Sequence, residues 1–333
     1  MNPLPTTMSA WCQERYGGPE VVVQAQIDVP QVGRDDVLVR THATSLNAGD
    51  IYVMRGEPLV LRVAFGLRRP KQRVRGMDAA ATVVAVGERV TQFKVGDEVV
   101  GELAGGALAE YAVSTASRLV HRPSELDVTV AAALPVAGGT ALQAVDRAGV
   151  ATGQRVLVIG ASGGVGTFAV QLCAQRGAEV WALCGERNRP LVESLGAAAT
   201  FDYKKVQPGA TELGEAEFDV VIDIAGTARL RALQRLVREG GKVVLVSGQG
   251  GRVLGPLARL TAASIISVGS KRKLLPLAAT GNQDTLNSLV ALATAGSLAP
   301  VIEHVSSFDE ADAALARAAD GHVVGKIVVT VTG

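Results

Sequence analysis

Residues 155–171 read RVLVIGASGGVGTFAVQ, and this stretch decides the fold. Arg155–Ile159 is a short, continuously apolar run of the kind a strand buried on both faces requires. Gly160, Ser162, Gly163, Gly164, Val165 and Gly166 follow, and the apolar residues of 165–176 recur at helical spacing. Glycines let the backbone turn sharply and approach a pyrophosphate, while the helix start supplies N–H donors and a favourable dipole. Alone, the glycine string is weak evidence, and a tight strand–helix turn without ligand has the same spelling. Between a buried strand and a helix, with a second strand following, it reads as a dinucleotide fingerprint.

Outward from this loop the same grammar continues. Glu179–Cys184 (EVWALC) is a second strand, and a helix then ends at Leu195-Gly196. Residues 199–201, 219–224 (DVVIDI), 242–247 (KVVLVS) and 265–268 (IISV) read as further strands, with a helix over 228–238. Buried strands alternating with helices predict a doubly wound parallel sheet. The second strand runs into Gly185, followed by Glu186, Arg187, Asn188 and Arg189. An acidic residue here suits the ribose hydroxyl of NAD, whereas two guanidiniums suit the 2′-phosphate of NADP. Arg187 and Arg189 favour NADPH, and Glu186 counts the other way. Thr140 is expected to begin a helix, where a hydroxyl and N–H groups suit a phosphate oxygen or simply cap the turn.

The flanking segments differ. Residues 20–27, DVLVRTHA, AAATVVAVG, DEVVG and AEYAV alternate with a period near two, as half-buried antiparallel strands do. After residue 270 the chain again carries strands, at 301–305 and KIVVTV, with helices between. The expected organisation is a mainly β domain over 1–125, a Rossmann domain over 126–270, and a return segment over 271–333 completing the first.

Composition bounds the function. The 333 residues carry 33 Lys+Arg and 32 Asp+Glu, so no overall charge favours nucleic acid or an anionic membrane. At 48% hydrophobic and 20% charged, the chain is globular, and no apolar run is long enough to span a bilayer. The N-terminus lacks a secretory pattern, and Cys12, Cys173 and Cys184 are too few and scattered for a disulfide framework. These features predict a cytoplasmic protein. The four histidines show no metal spacing. The basic run over 67–75 (LRRPKQRVR) is a solvated loop or a means of drawing in an anionic substrate.

The motifs SLNAGDIYVMRG, GMDAAATVVAVG, FKVGDEVVG, LPVAGGTALQAV, VLVIGASGGVGTFAVQL, FDVVIDIAG and GKIVVTV cover essentially the whole chain. Together they resemble the medium-chain dehydrogenase/reductase superfamily, and within it the zinc-independent quinone oxidoreductases. The resemblance implies a GroES-like catalytic domain with a Rossmann domain, substrate between them, and a homodimer or homotetramer joined through sheet edges, here residues 265–268. It also implies roles for single residues. Tyr52 matches a tyrosine near the nicotinamide, where a phenol can hydrogen-bond a carbonyl or protonate the adjacent carbon; a half-buried packing aromatic is the other reading. Asn47 matches an asparagine contacting the nicotinamide ribose, or is a turn residue. Tyr203 matches a tyrosine near the 2′-phosphate, with Lys204 beside it. Ser247, Gly248, Gly269 and Ser270 fall where relatives hold the nicotinamide ring.

The departures are equally informative. Where the zinc alcohol dehydrogenases carry their metal ligands, this chain has Asn47, Met77 and the run Ala137-Gly138-Gly139. Met77 is a poor ligand for a cation that prefers thiolate, imidazole or carboxylate. Without a Lewis acid, a plain ketone is hard to reduce and a conjugated acceptor is easier. The resemblance therefore implies an NADPH-dependent reductase of a quinone or α,β-unsaturated carbonyl. An enoyl-thioester or tailoring reductase is the nearest alternative, and a non-catalytic NADPH-binding sensor the alternative of another class.

Overall fold

The structure is a computed structural model and describes residues 4–246, 255 and 257–331. The chain divides into two compact units, one formed by residues up to 137 and from 281 onward, the other by 138–280.

In the first unit, β1 (Thr7–Gln13) pairs antiparallel with β2 (Val22–Asp28). β3 (Asp36–Leu46) leads through α1 (Ala48–Arg55) and α2 (Leu61–Phe65) to β4 (Asp78–Val86), β5 (Glu98–Glu102), β6 (Tyr111–Thr115) and β7 (Leu119–His121). α3 (Val128–Ala132) packs on β3 and β4, and α4 (Pro135–Ala148) carries the chain onward. The long β3 organises the sheet. β4 pairs along one edge, while β6 takes the first half of the other edge and the C-terminal strand the second half. Val37, Leu38 and Val39 are consequently all buried. The expected half-buried alternation gives way there because the central strand is covered on both faces.

The second unit holds β8 (Arg155–Ile159), α5 (Gly164–Gln175), β9 (Glu179–Cys184), α6 (Arg189–Ser194) and β10 (Ala197–Asp202). β11 (Phe218–Asp223), α7 (Leu230–Leu236), β12 (Val237–Leu245), α8 (Leu257–Ser267) and β13 (Lys273–Pro276) follow. All six strands are parallel, in the order β10-β9-β8-β11-β12-β13. The chain winds outward from β8 in one direction and then in the other, so the order reverses between β8 and β11. In open α/β sheets the crevice at such a reversal, beyond the strand C-termini, is the ligand position. The core gathers Leu157, Leu183, Phe218, Val221 and Val243, with Trp181 edge-on to Phe218.

One expected strand is corrected here. Residues 265–268 are not an edge strand: Ile265 to Ser267 form the last turn of α8, and the sixth strand is β13. A four-residue run with three β-branched members has no periodicity that separates strand from helix, and the helical residues from Leu257 onward decide the outcome. Ile265 and Val268 are 73% and 82% exposed.

Residues after 280 belong to the first unit. α9 (Gln283–Thr294), β14 (Ile302–Ser307), α10 (Ala311–Ala319) and β15 (Lys326–Thr330) complete it. β15 lies antiparallel to β3, with Ile327 opposite Leu46. Leu315, Ile327 and Val329 share a core with Trp11 and Met54, and the Trp11 indole donates to Phe308 O at 2.7 Å.

Candidate active site

The turn after β8 is built for close approach. Gly160 has φ 88°, a left-handed conformation that favours glycine. A Cβ on Gly166 would lie 2.2 Å from Gly160 O, so α5 packs nearer the end of β8 than any side chain allows. Gly163 caps α5, and a Cβ there would meet nothing nearer than 3.6 Å. Ser162, Gly163, Gly164 and Val165 are partly exposed while Gly166 is buried. A bare helix start, with N–H groups open and no side chain in the way, fits the pyrophosphate of a dinucleotide.

The end of β9 adds a polar cluster. Tyr203 N donates to Cys184 O at 3.0 Å, which brings the Tyr203 ring to the open side of Gly185. Asn188 Nδ2 donates to Ser162 Oγ at 3.1 Å, tying this turn to the glycine loop. Arg189 donates from Nε to Thr200 Oγ1 at 2.9 Å and from Nη1 to Glu186 Oε1 at 3.0 Å. Lys205 Nζ donates to Glu186 Oε2 at 3.1 Å. Hydrogen bonds from Lys205 and Arg189 hold the Glu186 carboxyl below the usual range. Both carboxylate oxygens are therefore engaged, while Arg187 is exposed and without a protein partner among the described residues. Lys205 was missed in the sequence, where Lys204 was singled out; Lys204 instead donates its backbone N–H to Asp202.

Three expected positions lie elsewhere. Thr140 is the sixth residue of α4, which begins at Pro135, so it caps nothing. Gly269 and Ser270 precede β13. The register aligns Lys273 with Lys242, Val220 and Val156, which puts Gly269 and Ser270 by the N-terminal edge of the sheet, opposite the Gly160 edge. Ser270 Oγ is occupied by Gln234 and the Arg272 N–H. Ser247 and Gly248 lie outside the described residues.

In the first unit, a buried polar cluster forms where β3, α1, β4 and β15 meet. Asp78, wholly buried, accepts at Oδ2 from Ser45 Oγ (2.6 Å) and Asn47 Nδ2 (2.9 Å), and at Oδ1 from Val136 N (3.0 Å). Asp50 accepts from Asn47 N and Gly76 N, both at 3.0 Å. Lys326, 2% exposed, donates to Leu46 O at 3.0 Å and to Asn47 Oδ1, and lies 3.6 Å from Asp78 Oδ2. Both ends of the Asn47 carboxamide are thus held by protein. Burial lowers the Lys326 ammonium pKa, opposed by Asp78 and Asp50. Arg75, the last of the basic run, is also buried, which corrects the picture of a uniformly solvated loop. Tyr52 projects from α1 at 47% exposure, its hydroxyl free of protein partners among the described residues.

This donor set does not fit zinc. Asn47 Oδ1 is already bonded to an ammonium, Met77 offers a thioether, and Gly138 and Gly139 offer no side chain. Among the described residues no group of three or more His, Cys, Asp or Glu is gathered to hold a metal ion. All three cysteines are free and buried, and burial pushes the Cys173 thiol up to about 12. No helix among the described residues is long and apolar enough to cross a membrane.

Residues 33–124 match the alcohol dehydrogenase GroES-like domain, and residues 195–329 match a family described as zinc-binding dehydrogenase. A chloroplast envelope quinone oxidoreductase homolog of Arabidopsis thaliana is 37% identical, over 97% of this chain and 98% of its own. A chloroplastic NADPH-dependent alkenal/one oxidoreductase of the same plant is 30% identical, over 98% of this chain and 80% of its own. The solved quinone oxidoreductase of Coxiella burnetii superposes with a TM-score of 0.86 at 26% identity, covering 98% of this chain and all of that one. The expected cytoplasmic location is corrected by these relatives, since both plant proteins are chloroplast proteins. Unpaired cysteines do not separate cytoplasm from an organelle interior.

The buried carboxyls generate a pH prediction. Burial and the nearby Asp78 charge push Asp50 from 3.8 up to about 6, against the lowering effect of the Asn47 and Gly76 N–H groups and of Arg75. Between those values the unfolded chain releases this proton and the folded chain keeps it, so stability falls as pH rises. From pH 3.8 to about 6 the change is about 3 kcal/mol, at about 1.4 kcal/mol per pH unit. Urea unfolding of wild type and Asp50→Asn across pH 4–7 is expected to show the wild type losing roughly this amount relative to the variant. A pH-independent difference would contradict the assignment.

Proposed function

The chain belongs to the medium-chain dehydrogenase/reductase superfamily, in its quinone-oxidoreductase-like branch, and on that footing we propose that it is an NADPH-dependent, zinc-free reductase of quinones or α,β-unsaturated carbonyls. The observation that carries this reading is the Asn47–Asp78–Lys326 cluster. The buried Lys326 ammonium is bonded to Asn47 Oδ1, one of the positions that would have to accept a metal ion, which supports carbonyl polarisation by hydrogen bonds. Hydrogen bonds polarise a ketone less than a Lewis acid does, which favours acceptors already activated by conjugation. The two plant relatives, a quinone oxidoreductase homolog and an NADPH-dependent alkenal/one oxidoreductase, agree with that class.

The Gly160–Gly166 loop would hold the pyrophosphate on the α5 N-terminus. Arg187, Arg189 and Lys205 would face the 2′-phosphate, with the Tyr203 ring beside them. Glu186 has both oxygens on Arg189 and Lys205, which leaves the cluster net cationic and takes the carboxylate away from a ribose hydroxyl. When bound, the nicotinamide supplies the reducing equivalent. Tyr52, exposed and without a competing partner among the described residues, would donate a hydrogen bond to the acceptor carbonyl or deliver the proton to the carbon next to it. The exposed Ile265 and Val268, close in sequence to edge strand β13, support association of this chain with itself.

Cofactor titration by fluorescence tests the selectivity. NADPH is expected to bind more tightly than NADH, and a triple Ala variant of Arg187, Arg189 and Lys205 to lose most of the difference. Each charge-assisted contact contributes about 1.5–3 kcal/mol, or roughly one to two decades. Equal affinities in the wild type would place Glu186 on the ribose instead. The acceptor class is tested by NADPH oxidation with a quinone and enone panel in the presence of a chelator. Turnover of conjugated acceptors is expected to survive chelation. Tyr52→Phe should reduce kcat on enones by ~10²-fold and on quinones by less, with NADPH affinity unchanged. Loss of turnover on removing a stoichiometric metal would overturn the reading.

A further inference from the structure

We propose that Lys326, the first residue of the C-terminal strand, is a positioning residue that sets the catalytic edge of α1 through Asn47 and Asp78; the inference rests on the reductase reading above. The ammonium has three donors and three oxygens to meet: Leu46 O, Asn47 Oδ1 and Asp78 Oδ2. Two of these belong to the residues immediately before α1, and the third belongs to the first residue of β4. Asn47 is then fixed in one orientation. Its Oδ1 faces the ammonium, its Nδ2 faces Asp78, and its backbone N–H is held by Asp50 within the first turn of α1. α1 is only eight residues long, and Tyr52 stands five residues after Asn47. An anchor at its N-terminal turn therefore determines where the phenol stands.

Packing alone does not account for a lysine here. An apolar side chain of similar length would fill the space between β15 and β3, and exchanging buried ions for well-packed apolar groups is often neutral or stabilising. An ammonium that satisfies an amide oxygen, a carbonyl and a carboxylate selects one arrangement of the α1 start, and that selection is what the lysine supplies. The contact joins residues far apart in sequence, so the C-terminal strand holds the start of α1. Displacement of a catalytic group by about 1 Å can cost ~10²-fold in rate, so even a slight turn of α1 is measurable.

The test compares Lys326→Met, Lys326→Arg and the double variant Lys326→Met/Asp78→Asn in the full-length protein. In Lys326→Met, kcat on an enone is expected to fall about tenfold or more, with NADPH affinity by direct titration unchanged. Lys326→Arg should recover part of the loss. The double variant removes the unpaired carboxylate and keeps the experiment readable if the single variant folds poorly; its kcat should stay low because the clamp on Asn47 is still absent. Hydrogen exchange provides a readout independent of turnover. Faster exchange confined to residues 48–55 is expected, even if the wild type reduces none of the acceptors tried and the reductase reading fails. Full recovery of kcat in the double variant would show that Lys326 only neutralises Asp78. Unchanged kcat, or unchanged exchange in α1, in a folded Lys326→Met protein would likewise overturn the proposal.

Discussion

The distance that governs the second unit is the one between the α5 backbone and Gly160 O. With a Cβ on Gly166 placed only 2.2 Å from that oxygen, the helix can follow the strand only if the residue is glycine. This close turn directs the α5 N-terminus past the end of β8, the strand from which the sheet winds both ways. It also leaves Ser162 within reach of Asn188, so the phosphate loop and the turn after β9 act as one surface. A dinucleotide needs such a surface: donors for its pyrophosphate at one point and cations for its adenosine end at another.

The first unit is arranged around charge that water does not reach. Asp50, Asp78, Lys326 and Arg75 are all buried, two of each sign, and each carboxylate has at least two donors. Isolated ions in such a place would cost several kcal/mol each, and the hydrogen bonds made by Asp50, Asp78 and Lys326 offset that cost. The chemical consequence concerns the acceptor. With an ammonium already on Asn47 Oδ1, the proposed reaction relies on a substrate with its own electron-poor carbon.

What the sequence revealed and what it concealed divide along the range of the interactions. RVLVIGASGGVG was legible because strand, turn and helix start are local, and glycine is needed for reasons the backbone alone dictates. Residues 265–268, three of them β-branched, suit a strand and a helix end equally well, so the sequence alone does not separate the two. Thr140 was misplaced by one and a half turns because the true start of α4 is Pro135. Lys326 looked like an ordinary strand residue, and nothing near it in the chain announces Asn47 and Asp78 as its partners. Lys205 was overlooked for the same reason, since its partner Glu186 comes from another strand end. The compartment was inferred from composition, which reports redox state and charge and carries no address.

In the proposed reaction, the β-carbon of a conjugated acceptor is the point of hydride delivery. NADPH deuterated at C4, used with an α,β-unsaturated ketone in ordinary water, tests it most directly. The account predicts a saturated ketone with deuterium on the β-carbon and a solvent-derived hydrogen on the α-carbon. Deuterium on the carbinol carbon of an unsaturated alcohol would contradict it, because that product requires direct reduction of the carbonyl.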